Sequence, residues 1–256
     1  MNSIALTEAK KFWKKATQYK QAPDLDLETE LLVHQRILTL FHVGPYYYFI
    51  FNLTNSQVEY TSESIREVLG CAPEDFGPPF TLAQIHPEDL SYFLNFEHTA
   101  VDFFGQLPPE QIRRYKVSYD YRIKRRDGQY IRLLHQLVTL QGDEEGSVLR
   151  SLGIHTDITS FKKEGKPMLS FIDLEGDDSF INVTPMEVFA PVKPVLTQRE
   201  KQVLRALMNG MASKQVAGYL SIAKETVDRH RKNMLAKTST SSTAELISKA
   251  VNEGWL

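Results

Sequence analysis

The chain has 256 residues, 42% hydrophobic and 24% charged, with a net charge of -2; this is the composition of an ordinary folded protein and excludes a fibrous or wholly disordered one. No apolar run approaches the roughly 20 residues of a membrane span, and no signal-peptide pattern precedes Lys10, so a cytoplasmic protein is expected. The single cysteine, Cys71, excludes an intramolecular disulfide and any multi-cysteine metal site.

A length of 256 residues suits two domains, and the charge divides along the chain. Residues 196–256 hold ten Lys or Arg against five Asp or Glu, a net +5, while the 195 residues before them hold 20 against 27, a net -7. A basic C-terminal module on an acidic body is what a chain shows when one end meets a polyanion.

At the N-terminus, TEAKKFWKKATQYK reads as a short amphipathic helix opening at Thr7. DLETELLVHQRILTLF places Leu27, Leu31, His34, Leu38 and Phe41 on one helical stripe. These helices, residues 1–42, are expected to cover the next domain or to dimerise. From Tyr46 the pattern changes to YYYFIFNL, a strand expected to be buried on both faces, followed by SQVEYT as a second strand. Short helical pieces follow, and then a longer helix from about Pro87 to Gly105. KVSYDYRIKRR alternates, with Val117, Tyr119, Tyr121 and Ile123 on one face and Ser118, Asp120, Arg122 and Lys124 on the other. Asp127-Gly128 signals a two-residue hairpin into QYIRLLHQLVTLQ, and SVLRSLGIHTDIT closes the set.

Two strands, small helices, one long helix and a three-strand meander describe an α+β domain built on a five-stranded antiparallel sheet. EYTSESIREVLG, IHPEDL, YRIKRRDGQYIR and GIHTDIT occur in an order and spacing that resembles the PAS sensor domain over about residues 43–162. The resemblance implies a small-molecule, haem or flavin pocket between the long helix and the sheet, or a docking module with no ligand. Tyr119 and Tyr121 alternate so as to point inward, and they either line such a pocket or simply pack the core. His98 on the long helix occupies the place where haem-binding relatives put an iron ligand, but it stands without a supporting constellation. The light-sensing flavin motif is absent, and Cys71 reads as an ordinary half-buried thiol. His135 and His155 fall on neighbouring strands without a third ligand of clear spacing. No cofactor is expected, and no nucleophile-base set or phosphate-cradling loop points to an enzyme. Residues 163–195 hold two strand-like runs, MLSFIDL and SFINV, suited to an added hairpin, and a proline-bearing linker from Pro185 to Pro194.

From residue 196 the pattern is helical. Thr197 and Glu200 have capping-box spacing; Val203, Leu204, Leu207 and Met208 form one apolar face; Gly210 ends the helix. SKQVAGYL, a three-residue turn Ser221 to Ala223, KETVDRHRKNMLAK and TAELISKAVNEG complete a four-helix, all-α helix-turn-helix unit. L-T-x-R-E at 196–200, V-A-x-x-L-x-I-A-x-x-T-V-x-x-H-x-x-N-M-x-x-K at 216–237 and A-E-L-I at 244–247 are similar to the LuxR-type DNA-binding domain. Two positions depart from that pattern. Ala223 replaces a serine and removes an N-cap acceptor worth about 1 kcal/mol, leaving a looser start or a cap from Ser221. Thr238 replaces a leucine and is expected to weaken a packing contact.

With Val227 set toward the core, the helical period puts Glu225, Asp228, Arg229, Lys232 and Ala236 on the outward face. It places Thr226, His230 and Asn233 along one edge, and Lys224 and Arg231 along the other. The outward face of a helix in the major groove reaches base edges. The resemblance agrees: it implies base contacts from Asp228, Arg229 and Lys232, and backbone contacts from Lys224, Thr226, His230 and Asn233. Lys214, on the preceding helix, is added to the backbone set. Asp228 has a second account, as an ion-pair partner of Lys232 four residues on. The expected function is a cytoplasmic regulator that binds double-stranded DNA at a dyad operator as a homodimer, modulated by its sensor domain. The alternatives are a haem or flavin redox domain and a pure protein-docking module.

Overall fold

The computed structural model describes residues 37, 40–162, 164–176, 178–190 and 194–255. The helices expected before residue 42 lie outside the described residues, apart from Ile37, Leu40 and Phe41, which are helical and exposed.

Within the unit Val43–Leu256, a sheet with its covering helices comes first. The strands are β1 (Tyr46–Asn52), β2 (Gln57–Thr61), β3 (Tyr115–Lys124), β4 (Tyr130–Gly142), β5 (Val148–Asp157), β6 (Leu169–Asp173) and β7 (Phe180–Val183). They form one sheet in the order β2-β1-β5-β4-β3-β6-β7, with every pairing antiparallel. The sheet therefore has seven strands where five were expected. The MLSFIDL and SFINV runs do form a hairpin, and it extends the sheet beyond β3. The helices are α1 (Ile65–Val68), α2 (Pro78–Gln84) and the long α3 (Pro87–Gly105).

The alternation in β3 is realised on the inner face: Val117, Tyr119, Tyr121 and Ile123 are all buried against the helices. Its outer face is not solvated as simple alternation suggests, since Asp120 is buried and bonded to Arg132 and to Lys162 Nζ at 2.7 Å. β1 is half-buried on its second face, not buried on both; Tyr47 and Phe49 carry its inner side. The β3-β4 connection is longer than a two-residue hairpin, with Arg125 N–H donating to Gln129 O at 2.8 Å around Gly128 at φ 88°.

Across the sheet from Phe49 stands Gly153, where a Cβ would fall 2.4 Å from Phe49 Cζ. Glycine is required there because the phenyl ring occupies the space of a side chain. Gly153→Ala should cost about 1–3 kcal/mol through overpacking, read as a lower urea midpoint with an unchanged m value.

The stretch after β7 is strapped to α3 rather than free. Asn95 Oδ1 accepts from Val188 N–H at 3.0 Å and Phe189 N–H at 2.8 Å, while Asn95 Nδ2 donates to Phe189 O at 3.0 Å. Four helices close the chain: α4 (Gln198–Met208), α5 (Ser213–Tyr219), α6 (Lys224–Thr238) and α7 (Thr243–Asn252). Their core gathers Val203, Leu204, Val216, Val227, Met234, Leu246 and Trp255. The capping box at the start of α4 is formed: Thr197 N–H donates to Glu200 Oε2 at 2.8 Å and Glu200 N–H to Thr197 Oγ1 at 3.3 Å.

Candidate nucleic-acid interface and sensor cavity

Helix α6 follows α5 after the turn Leu220–Ala223, in which Ser221 takes a left-handed conformation at φ 53°. Ser221 does not cap α6. Ala223 is the N-cap and offers no side-chain acceptor, so α6 starts uncapped, with Glu225 complementing the helix dipole in its first turn. Val227, Met234 and Thr238 form the buried seam. The leucine-to-threonine departure at Thr238 exchanges packing for hydrogen bonds: its Oγ1 donates to Met234 O at 2.8 Å and meets Thr240 Oγ1 at 2.9 Å.

The face opposite the seam and its two edges hold Lys224, Glu225, Arg229, Lys232 and Asn233, all exposed, with Asp228, Thr226 and His230 half-exposed. Arg229 and Lys232 form no ion pair or hydrogen bond among the described residues, and Lys214 on α5 is likewise exposed. Asp228 does not pair with Lys232. Its Oδ2 accepts from Lys224 Nζ at 2.7 Å, and Oδ1 lies 3.8 Å from Arg231. The Lys224 bond, helped by Ser213, holds this carboxyl below the usual aspartate range.

Arg231, read from sequence as an edge cation, is a brace. Its Nη1 donates to Ser213 Oγ at 2.9 Å and its Nη2 to Thr243 Oγ1 at 2.8 Å, which ties α5, α6 and α7 together. Arg231 thus adds a polar brace to the apolar core that already packs α5, α6 and α7 together.

Between α2, α3 and the inner sheet face lies a cavity of about 240 Å³. Its walls include Phe49, Phe76, Phe93, Tyr119, Tyr121 and Leu137, with Glu97, His135 and His155 as polar members. Tyr119 and Tyr121 therefore serve both readings, as core residues and as cavity wall. His98 does not line the cavity. It lies one residue past Glu97, a helical step of about 100° that turns it outward, and its Nδ1 pairs with Asp102 Oδ2 at 3.2 Å in a half-exposed position. A haem reading through His98 thus loses its geometric basis. Glu97 was not singled out from the sequence, although it falls four positions after Phe93 on the same helical stripe. It accepts a bond from the Tyr119 hydroxyl, and burial pushes its carboxyl upward.

His135 and His155 are joined, with Nδ1 of the first 2.5 Å from Nε2 of the second, while His155 Nδ1 lies 2.5 Å from the Tyr47 hydroxyl. Burial lowers the pKa of both rings, His135 to about 3, and His135 adds to the depression of His155. Both are therefore neutral at pH 7, and donor counting sets their tautomers. Tyr47 is fully buried away from the cavity, so its only proton goes to His155 Nδ1. His155 Nε2–H then donates to His135 Nδ1, with the Tyr121 hydroxyl oxygen a second, longer acceptor at 3.3 Å, which leaves His135 Nε2–H as a buried donor with no partner among the described residues. An unpaired donor in a cavity wall costs about 1–3 kcal/mol and calls for an acceptor in the cavity. Cys71 is fully buried, not half-buried. Among the described residues no group of three His, Cys, Asp or Glu is placed to hold a metal ion, and no helix is long and apolar enough to cross a membrane.

Known proteins resemble this chain in two segments. Residues 194–250 match the family of bacterial regulatory proteins, luxR family, and residues 58–155 match the PAS fold. The transcriptional regulatory protein FixJ of Azorhizobium caulinodans is 42% identical over 59 residues, 23% of this chain and 28% of that protein. The transcriptional regulatory protein UhpA of Escherichia coli is 40% identical over 60 residues, 23% of this chain and 30% of its own length. The chain thus spans less than a third of the length of either. Among solved structures, the Vibrio cholerae VqmA dimer in the absence of target DNA aligns over 90% of this chain and 89% of its own, at 20% identity and a TM-score of 0.33.

Proposed function

We propose that this chain, a PAS-fold domain joined to a luxR-family helix-turn-helix domain, is a cytoplasmic transcription regulator that binds double-stranded DNA as a homodimer at a dyad operator and is not an enzyme. The observation that carries this reading is the outward face of α6, where Arg229 and Lys232 stand exposed with no ion pair or hydrogen bond among the described residues, on a helix braced by Arg231. Arg229, Lys232 and Asp228 are assigned to base edges; Lys214, Lys224, Thr226, His230 and Asn233 are assigned to the backbone. Base-edge hydrogen bonds specify sequence and phosphate contacts position the protein.

The sensor cavity takes a small, neutral, largely apolar molecule with an acceptor for His135 Nε2–H. No prosthetic group is required. Random-sequence selection with the full chain should yield a two-fold symmetric site. The logarithm of the binding constant for that site should fall linearly with the logarithm of salt concentration, with a slope of several units. A pool that never enriches, or binding indifferent to salt, ends the reading.

A further inference from the structure

The helix-turn-helix domain is gripped from behind, at the end of its last helix, by residues of the sensor domain. Helix α7 ends with orphan carbonyls at the negative end of its dipole. Glu253 O accepts from His86 Nε2–H at 2.7 Å, and Gly254 O accepts from Arg122 Nη1–H at 2.8 Å. His86 Nδ1 is occupied in capping α3, accepting from Glu88 N–H at 3.1 Å, so the ring is neutral with its proton on Nε2. Glu88 Oε2 meets Lys201 Nζ of α4 at 3.2 Å, and Arg205 of α4 meets Glu164 at 2.8 Å. Gly254 allows this approach: it stands at φ +62°, and a Cβ there would fall 2.5 Å from Tyr130 and 3.1 Å from His86.

The grip and the cavity wall are built from different residues of the same two elements, α3 and β3. Arg122 also donates through its backbone N–H and Nε to Asp89 Oδ2, at 2.8 and 2.9 Å, and through Nη2 to Asp89 Oδ1 at 2.6 Å. That clamp rivets the first turn of α3 to β3. One and two turns further along α3 stand Phe93 and Glu97, and beside Arg122 on β3 stands Tyr121, all three lining the cavity. Any shift of α3 against β3 that accommodates a ligand moves the Asp89-Arg122 pair, and with it the carbonyls that Arg122 holds. Helix α6 makes none of these bonds, so its DNA-facing side stays open while the domain is held.

We propose that the His86–Asp89–Arg122 cluster is the coupling between sensor cavity and DNA-binding domain, transmitting a change in the α3-β3 spacing to the orientation of α6 through the backbone at Glu253 and Gly254. This rests on the regulator reading above, and its test separates the two. Amide hydrogen exchange is measured on the full chain without ligand or DNA, for the wild type, Gly254→Ala and Lys201→Ala. Gly210→Ala serves as control, since Gly210 has a comparable φ of +79° with nothing within 4 Å of a Cβ. Gly254→Ala should speed exchange at least threefold in segments 86–97 and 119–123, Lys201→Ala less, and Gly210→Ala not at all. Changes confined to 250–256 in Gly254→Ala overturn the coupling. The same samples titrated with the selected duplex by fluorescence anisotropy report DNA binding separately. A chain that binds no DNA sinks the regulator reading, while the exchange pattern still decides the coupling.

Discussion

Replacing Arg229 and Lys232 together with alanine should abolish sequence-specific DNA binding while leaving the fold intact. Both side chains are exposed and bonded to nothing within the described residues, so their loss creates no cavity and strands no partner. A bidentate side-chain contact to a base contributes about 1–3 kcal/mol of discrimination, so the pair should cost between about thirtyfold and twenty-thousandfold in affinity for the selected site, measured by anisotropy at fixed salt. Affinity for unrelated duplexes should fall far less, and an equal fall on both would reassign these residues to phosphates. Asp228 is the sharper probe. Its carboxylate holds Lys224, not Lys232, and so restrains a cation assigned to the backbone. If that is its whole role, Asp228→Ala frees Lys224 and raises affinity on all sequences alike. If the carboxylate also accepts from a base, as from cytosine N4, selection with Asp228→Ala shows one position losing its preference.

Local patterns announced the elements that local physics decides. The capping box at Thr197 and Glu200, the long helix from Pro87 to Gly105, the alternation in β3 and the apolar seam of α6 each depend on residues within a turn or a strand of one another. What was not legible depends on residues far apart in the chain. Asp120 and Arg122 read as solvent-facing because alternation describes one strand. The structure covers them with Lys162, Met168 N–H and the end of the last helix, 132 positions from Arg122 in the case of Gly254. Arg231 read only as an edge cation of its helix, since nothing local shows that Ser213 and Thr243 converge on it. Glu97 was missed and His98 chosen for a related reason: adjacent residues on a helix differ by about 100° in direction, and only the position of the sheet tells which of the two looks into the cavity. A polar residue four positions after Phe93, on the same helical stripe, was the available signal.

The sensor domain should lose stability steeply between pH 6.5 and 4.5, and its linked histidines should account for most of the loss. His135 and His155 are buried and neutral, with pKa values pushed below the ordinary histidine value near 6.5 and to about 3 for His135. In this window the unfolded chain binds protons that the folded chain refuses, so stability rises with pH. It is fully present above pH 6.5, and it declines as pH falls toward the folded-state values. Each histidine that stays neutral in the folded chain removes up to about 1.4 kcal/mol per pH unit below its unfolded value, a large effect against the roughly 5–15 kcal/mol typical of a domain. His86, lowered by burial and by Arg122, adds to the loss. Glu97 opposes it: burial raises its folded pKa, so its protonation stabilises the fold as pH falls. Carboxyls held low, such as Asp89, where burial is outweighed by the Arg122 bonds, and Glu59 and Glu200, start to lose their contribution near about pH 5 and add only a little at the acid end of the window. Urea midpoints measured from pH 7.5 to 4.5 should therefore drop steeply for the wild type. For the double variant His135→Gln, His155→Gln the drop should be less than half as steep, from a lower starting stability at pH 7.5 because the Tyr47 bond is disturbed. Equal slopes in the two proteins would mean that the folded chain binds protons at these rings as readily as the unfolded chain does, which overturns the buried, neutral pair.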